Sequence, residues 1–184
     1  MQLKGGIRIL ALNGAPFDRK RESELVIGVI GRQGGIEGAL SFDVKIDGND
    51  ATANILRAVR NSKFNGQIRL VATNGVALGG LNIMDFGKIS RSLGVGLVSV
   101  TRKRPRKNLL KEALSSDSER ERKRELLDRT YEKVEIVRMR GFYVQYINIE
   151  KKDLEKKIDE VLSLLRIAHI LASGVGHGES RGRI

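Results

Sequence analysis

Apolar residues occur in short runs along the first part of the chain, and their spacing predicts strands. Residues 7–12 are apolar on both faces, which is typical of a central strand that is covered on both sides. Residues 25–31 are dense in Val and Ile, and residues 37–46 alternate apolar and polar positions in their second half. Because short connections join these three strands, the pattern predicts an antiparallel meander. The third strand then points the same way as the first.

Beyond residue 50, apolar stripes at helical spacing alternate with further β-branched runs. Helices are predicted at residues 51–61, 82–93 and 151–173. Strands are predicted at residues 67–73, 95–100, 133–139 and 142–149. The charged segment 108–131 is mostly helical in pattern, with a break at residues 115–118. The tail, residues 174–184, is rich in Gly, Ser and Arg and is expected to be flexible.

This order of elements predicts an α/β fold with helices on both faces of a mixed sheet. Right-handed crossovers place the fourth and fifth strands parallel to the first, which gives the strand order 3-2-1-4-5 of ribonuclease-H-like folds. The late strand pair is then an insertion or an extension. In this layout the carboxyl ends of strands one, three and four share one edge, where open α/β sheets bind ligands. Four side chains are expected along this edge: Asn13, Asp47, Asp50 and Asn74.

The tips of the first and fourth strands carry amides rather than acids. Neighbouring strands lie about 4.8 Å apart, so Asn13 and Asn74 can meet around one small ligand or ion. Enzymes of the predicted fold hold divalent metals at this place, and Mg²⁺ prefers anionic oxygen ligands. Asparagine offers only a neutral carbonyl, which weakens the hypothesis of a metal-dependent nuclease. The alternative is that Asn13 and Gly14 simply form a turn.

Composition places the chain among globular proteins and adds a strong positive charge. Its 184 residues fit a single domain, residues 1–184, and 40% of them are hydrophobic. The net charge of +12 favours nucleic acid as a partner, although the charged surface of a heat-adapted protein is the alternative. The absence of cysteine excludes disulfides, and the two histidines argue against a zinc site. No signal peptide or membrane-spanning run is expected, which predicts a cytoplasmic protein.

A basic cluster follows the fifth strand and is expected on the same edge as the strand tips. It consists of Arg102, Lys103, Arg104, Arg106 and Lys107. Contact with phosphate is the functional interpretation and would make binding salt-dependent, whereas a solvated loop is the alternative. Arg181 and Arg183 in the tail are further candidates for phosphate contact. Since aromatic residues are few, backbone-led binding is expected rather than base reading. His169 lies on the apolar stripe of the last helix and is expected to pack.

Several segments resemble domain-of-unknown-function family 99, a mostly archaeal group also known as uncharacterised protein family 0215. These segments are I-R-I-L-A-L-N-G-A-P-F, V-I-G-V-I-G-R, V-K-I-D-G-N-D-A-T, G-G-L-N-I-M-D, V-T-R-K-R-P, R-I-A-H-I-L-A-S-G and G-E-S-R-G-R. The resemblance covers nearly the whole chain and implies an endonuclease-V-like fold. It also implies a metal-dependent endonuclease acting on deoxyuridine in DNA, with Asp47, Asp50 and Asp85 at matching positions.

The chain departs from the family pattern at the first strand. Where the family has G-I-D-D-G-P-F, this chain has A-L-N-G-A-P-F, so that Asn13 and Gly14 replace two acids. We therefore expect a nucleic-acid-directed protein with weakened or lost catalysis; a non-enzymatic binding or assembly module is the alternative. If cleavage remains, Mg²⁺ or Mn²⁺ held by Asp47, Asp50 or Asp85 is expected to activate water. Helix capping is the structural alternative for Asp47 and Asp50, and a solvated acid for Asp85.

Overall fold

The computed structural model describes residues 5–16 and 21–180, and these form nine strands and five α-helices. The strands are β1 (Arg8–Gly14), β2 (Ser23–Arg32), β3 (Gly35–Lys45), β4 (Ile68–Thr73), β5 (Ala77–Leu78), β6 (Asn82–Ile83), β7 (Gly96–Thr101), β8 (Glu135–Met139) and β9 (Phe142–Ile147). The helices are α1 (Ala51–Arg60), α2 (Phe86–Leu93), α3 (Lys107–Ala113), α4 (Arg120–Lys133) and α5 (Lys151–His177). A short 3₁₀ turn, Leu114–Ser116, separates α3 from α4 where a break is predicted.

One seven-stranded mixed sheet forms the centre, in the order β3-β2-β1-β4-β7-β9-β8. β1 pairs antiparallel with β2 and parallel with β4, and β4 pairs parallel with β7. β9 and β8 extend the sheet beyond β7 in antiparallel pairing. The predicted mixed α/β class is confirmed. The predicted fifth strand is β7, and the carboxyl ends of β1, β4 and β7 lie at one edge.

Alternation along β1 divides its side chains between two cores. Leu10 and Leu12 pack in the core beneath α1 and α2, whereas Ile9 and Ala11 pack in the core beneath α5. All four side chains are buried, which accounts for a strand that is apolar on both faces. Because of this alternation, Asn13 lies on the face of the sheet that α5 covers, and Gly14 lies on the opposite face.

The second helix begins later than predicted and the last helix ends later. Residues 82–83 form β6 and pair with β5, so α2 starts only after Asp85, which caps it. α5 continues past residue 173 to His177 and ends at Gly178 in a left-handed conformation (φ 79°). The predicted tail is therefore helical over residues 174–177. No helix in the described ranges is both long and apolar enough to cross a membrane.

Candidate functional site at the strand tips

The tips of β1 and β4 are joined by a hydrogen bond between two side-chain amides. Asn74 Nδ2 donates to Asn13 Oδ1 at 2.8 Å, as the predicted layout allows. Asn13 Nδ2 lies 3.2 Å from His169 Nδ1 on α5 and 3.0 Å from the backbone oxygen of Gly14. The Asn13 side chain is only 8% exposed, so these contacts satisfy a buried amide. The two tips thus bind each other and the last helix.

His169 belongs to this tip, although its spacing on an apolar stripe predicts only packing. Its Nε2 atom is buried without a hydrogen-bond partner among the described residues. Ser173, one turn further along α5, has a buried Oγ in the same condition. The sequence signal for His169 is a polar residue within the apolar stripe of the last helix. Local spacing does not show which strand this stripe packs against, so the contact with Asn13 could not be predicted.

The residues at the tip do not fit a divalent metal. Asn13 and Asn74 supply neutral amide oxygens, and the Asn13 oxygen already accepts a hydrogen bond. Mg²⁺ prefers carboxylates because only an anionic ligand offsets the cost of removing its water shell. Within residues 5–16 and 21–180, no group of three or more His, Asp or Glu residues is arranged to hold a metal ion.

Asp47, Asp50 and Asp85 are not brought together into such a group, because each carboxylate serves a separate backbone segment. Asp47 Oδ1 accepts from Leu81 N at 2.8 Å. Asp85 Oδ1 accepts from Lys88 N at 2.8 Å and caps α2, which is a capping role rather than that of a solvated acid. Both carboxylates therefore have a structural role where they stand.

Asp50 lies at the position that precedes α1, but its side chain does not cap the helix. Its Oδ1 accepts from Lys45 N at 3.1 Å and from Asn82 Nδ2 at 2.7 Å. Asn82 Oδ1 in turn accepts from Ala51 N at 3.0 Å, so an amide from β6 binds the free N–H of the first helical residue. This network holds the β3–α1 turn against the β5–β6 hairpin.

A carboxylate that sequence reasoning missed lies on the other side of the β1 tip. A side-chain carbon on Gly14 would stand 1.5 Å from Glu24 Oε1, so the half-buried Glu24 of β2 fills the space that Gly14 leaves open. Burial raises the pKa of Glu24 from 4.5 to about 7, against a hydrogen bond from the Gly79 backbone that lowers it. The tip of β1, whose own residues include no acid, therefore has one carboxyl group beside it, contributed by the neighbouring strand.

The basic cluster lies at the same edge of the sheet, and one of its five members is held in an ion pair. Arg102, Lys103, Arg104 and Arg106 are exposed. None of these four forms an ion pair with another residue in the described part of the chain. Lys107 is different, because its Nζ lies 2.8 Å from Asp128 Oδ1 while Lys111 Nζ lies 2.7 Å from Asp128 Oδ2. This arrangement ties α3 to α4. Arg181 and Arg183 lie outside the described residues.

An open cleft of about 880 Å³ connects the basic cluster to the tip of β4. Its lining residues come from the β4–β5 turn, the loop after β7, and the α3, α4 and β9 elements. They include Asn74, Lys103, Arg104, Arg106, Tyr131, Tyr143 and Gln145. The structure therefore brings Asn74 and three of the predicted phosphate-binding side chains to one cavity.

A solved archaeal structure shares this fold. The structure is similar to the crystal structure of a protein of unknown function from Archaeoglobus fulgidus, with 28% identity, a TM-score of 0.83, and coverage of 94% of this chain and 99% of that one. A likeness to Ciona intestinalis endonuclease V in complex with inosine-containing DNA is weaker, with 8% identity, a TM-score of 0.48, and coverage of 85% and 77%. The mixed α/β fold is thus shared with the Archaeoglobus protein.

The sequence identifies the family. Residues 5–176 match the model of the Endonuclease dU family, and the chain belongs to that family. A UPF0215 protein of Methanothermobacter thermautotrophicus is 33% identical over 190 residues, covering 98% of this chain and 93% of the relative. A second one, of Pyrococcus furiosus, is 32% identical over 188 residues, with 97% of both chains covered. The resemblance read from the sequence motifs is confirmed.

Proposed function

We propose that this protein binds nucleic acid, in the first place DNA, through the carboxyl edge of a ribonuclease-H-like sheet. We further propose that it has weakened or lost the metal-dependent cleavage of deoxyuridine-containing strands. The observation that carries this proposal is the hydrogen-bonded amide pair of Asn13 and Asn74 at the adjacent tips of β1 and β4. Family membership supports a nuclease scaffold, and the neutral tip supports the loss of its chemistry.

The loss follows from the charge that a metal-assisted reaction requires. A dication that activates water must be held by ligands that compensate its charge, and two asparagines contribute none. Recruiting Asp47 or Asp50 for Mg²⁺ or Mn²⁺ would compete with the hydrogen bonds that these carboxylates accept from the backbone N–H groups of Leu81 and Lys45. The tip is therefore better suited to hold the fold together than to hold a metal.

The binding part of the proposal rests on the exposed cations. Arg102, Lys103, Arg104 and Arg106 are free of ion pairs with described residues, so no internal carboxylate competes with phosphate for them. Neutralising phosphates releases condensed counterions, which makes affinity fall steeply with salt. The overall charge of +12 adds attraction at long range.

The first test is a cleavage and binding assay with deoxyuridine- and deoxyinosine-containing oligonucleotides in Mg²⁺ or Mn²⁺. We expect no cleavage, together with binding that weakens steeply as salt rises. Cleavage that disappears in Asp50→Asn or Asp85→Asn would overturn the proposed loss. Absence of binding at low salt would overturn the nucleic-acid part and favour a non-enzymatic assembly module.

The second test restores the missing acids. The double variant Asn13→Asp, Gly14→Asp places two carboxylates at the β1 tip, and the flexible Glu24 carboxyl must move to admit the second one. We expect it to bind Mn²⁺ in calorimetric titration, whereas the parent protein shows no binding at the same concentrations. The control Asn61→Asp, Asn65→Asp adds the same charge at exposed positions near the opposite edge of the sheet. Equal Mn²⁺ binding by parent and restored variant would contradict the explanation.

A further inference from the structure

The cleft beside Asn74 contains two aromatic side chains that are far apart in sequence. Tyr131 lies on α4 and Tyr143 on β9, and both line the cavity while remaining half-buried. They expose ring surface to a space of about 880 Å³, which lies within the usual range of small-ligand sites. The chain has only eight aromatic residues, three Tyr and five Phe, so their meeting at one cavity is a product of the fold.

The floor of this cleft has polar atoms that lack partners. Gln145 is 1% exposed and lies directly opposite Ser99 in the β7–β9 pairing, so both side chains point to the same face of the sheet. Gln145 Nε2 and Ser99 Oγ are buried and make no completed hydrogen bond with a described residue. Burial raises the pKa of the Tyr131 phenol, and hydrogen bonding with the Gln145 side chain partly offsets that effect. The amide is thus close to the phenol, although its Nε2 atom is left without a hydrogen bond of normal geometry.

An unsatisfied buried amide under an open cavity requires a polar partner, which a water molecule or a ligand can supply. The Gln145 amide suits a particular kind of ligand, because an amide can both donate a hydrogen bond to the edge of a planar heterocycle and accept one from it. The tyrosine rings add a surface on which such a heterocycle can stack, an interaction available to any nucleobase.

The mouth of the cleft adds the third element. Lys103, Arg104 and Arg106 line it, and all three are exposed without an ion pair to a described residue. Thr101 Oγ1 donates to the backbone oxygen of Lys103 at 2.9 Å, which fixes the turn that presents these cations. These three features correspond to the three parts of one nucleotide. The positive charge at the entrance suits the phosphate, the ring surface on the walls suits the face of the base, and the amide at the floor suits the edge of the base.

We propose that this cleft binds one unstacked nucleotide of a nucleic-acid strand. Its base lies against Tyr131 and Tyr143 with its edge toward Gln145, and its phosphate contacts Lys103, Arg104 or Arg106. The proposal rests on the proposed nucleic-acid binding and adds that the protein distinguishes an unpaired base from a paired one. Gln145 is then the residue that selects among bases.

The test uses a DNA duplex with one bulged 2-aminopurine and the same duplex fully paired. The protein has no tryptophan, so emission from the base analogue is observed without interference. We expect the bulged duplex to bind about five- to hundredfold more tightly than the paired one, the range that stacking of one base supplies. We also expect the emission of 2-aminopurine to change as the base enters the cleft.

Two variants separate the base from the backbone. Gln145→Met keeps the side-chain length and removes the amide, and Tyr143→Ala removes ring surface at a half-exposed position; each should reduce the preference for the bulge without changing the affinity for paired DNA. Gln67→Met, an exposed glutamine at the far end of the sheet, is the matched control and should keep the full preference. Thermal melting of each variant checks that the fold is retained.

The outcomes distinguish this proposal from the proposed function. Equal, salt-dependent affinity for both duplexes would overturn the cleft proposal and leave nucleic-acid binding intact. Absence of binding to either duplex at low salt would overturn both. If free deoxynucleoside monophosphates saturate the cleft while the bulged duplex gains nothing over the paired one, the ligand is a small nucleotide, and the assignment to a strand is wrong.

Discussion

The strand tip and the cleft beside it share Asn74 but differ in how their polar groups are satisfied. At the tip, Asn13, Asn74 and His169 are arranged in one hydrogen-bonded chain across β1, β4 and α5. In the cleft, the Gln145 amide nitrogen makes no completed hydrogen bond, and the cations at the mouth have no described carboxylate partner. Polar groups that satisfy one another stabilise a fold, whereas those left unsatisfied are available to a ligand. Buried atoms without a described partner occur in both regions, since His169 Nε2 is one of them. The regions differ because the two amides at the tip bind each other, whereas the cleft combines an unpaired amide nitrogen with exposed cations, as the proposed ligand site requires.

The largest expected effect comes from reversing charge at the mouth of the cleft. Lys103→Glu combined with Arg104→Glu should reduce affinity for DNA on the order of a hundredfold at low salt, because two phosphate contacts become repulsive. The control Arg60→Glu with Lys63→Glu makes the same change in net charge at exposed positions away from the cleft. Fluorescence anisotropy across a salt series measures both. Equal losses in the two variants would mean that overall charge, rather than the cleft, determines binding.

A smaller effect is expected from Glu24 as pH changes. Its folded-state pKa is raised to about 7, so the folded state binds the proton more tightly than the unfolded chain does. Stability is therefore highest at low pH with respect to this group and falls as pH rises from about 4.5 through 7. Glu24→Gln should remove this loss. The free energy of unfolding of the variant, relative to the parent, should therefore rise by on the order of 1 kcal/mol between pH 5 and pH 8, after allowance for solvent screening.

Urea unfolding at several pH values measures this difference, and Glu22→Gln is the control at an exposed neighbouring acid. A constant stability difference between Glu24→Gln and the parent from pH 5 to pH 8 would contradict the assigned burial.

A related prediction concerns the space at Gly14. Gly14→Ala puts a methyl group where the Glu24 carboxyl now lies, so the flexible carboxyl must move toward solvent. We expect the pKa of Glu24 to fall toward its ordinary value, with a stability change of under about 1 kcal/mol because only the end of a side chain is displaced. Carboxyl-carbon NMR titration follows the shift directly. An unchanged Glu24 titration in Gly14→Ala would refute the placement of this carboxyl.

An effect of similar size, confined to stability, is expected from uncoupling the two amides at the tip. Asn13→Ala and Asn74→Ala should each destabilise the fold, and their double-mutant cycle should give a coupling of about 0.5–1.5 kcal/mol, the net value of one hydrogen bond. DNA affinity should change little in Asn13→Ala, since that residue does not line the cleft. A loss of DNA binding in Asn13→Ala as large as that from charge reversal would erase the distinction between tip and cleft.

The sequence by itself determined the central position of β1, the mixed α/β class and the nearness of Asn13 to Asn74. It did so because buried apolar runs and right-handed crossovers are local or topological rules that leave few arrangements. The basic loop after β7 was also identified correctly as lying at this edge, since it directly follows a strand whose direction is known.

Only the tertiary structure decided which side chains meet around these features. Glu24 reaches the space at Gly14 from the neighbouring strand, His169 reaches Asn13 across 156 positions of sequence, and Tyr131, Tyr143 and Gln145 meet below the basic loop. Such meetings depend on sheet register and on how a helix is rotated against the sheet, which no local periodicity specifies. The sequence shows that the first strand contains no acid. The fold places a carboxyl group beside its tip and an amide at the floor of the neighbouring cleft.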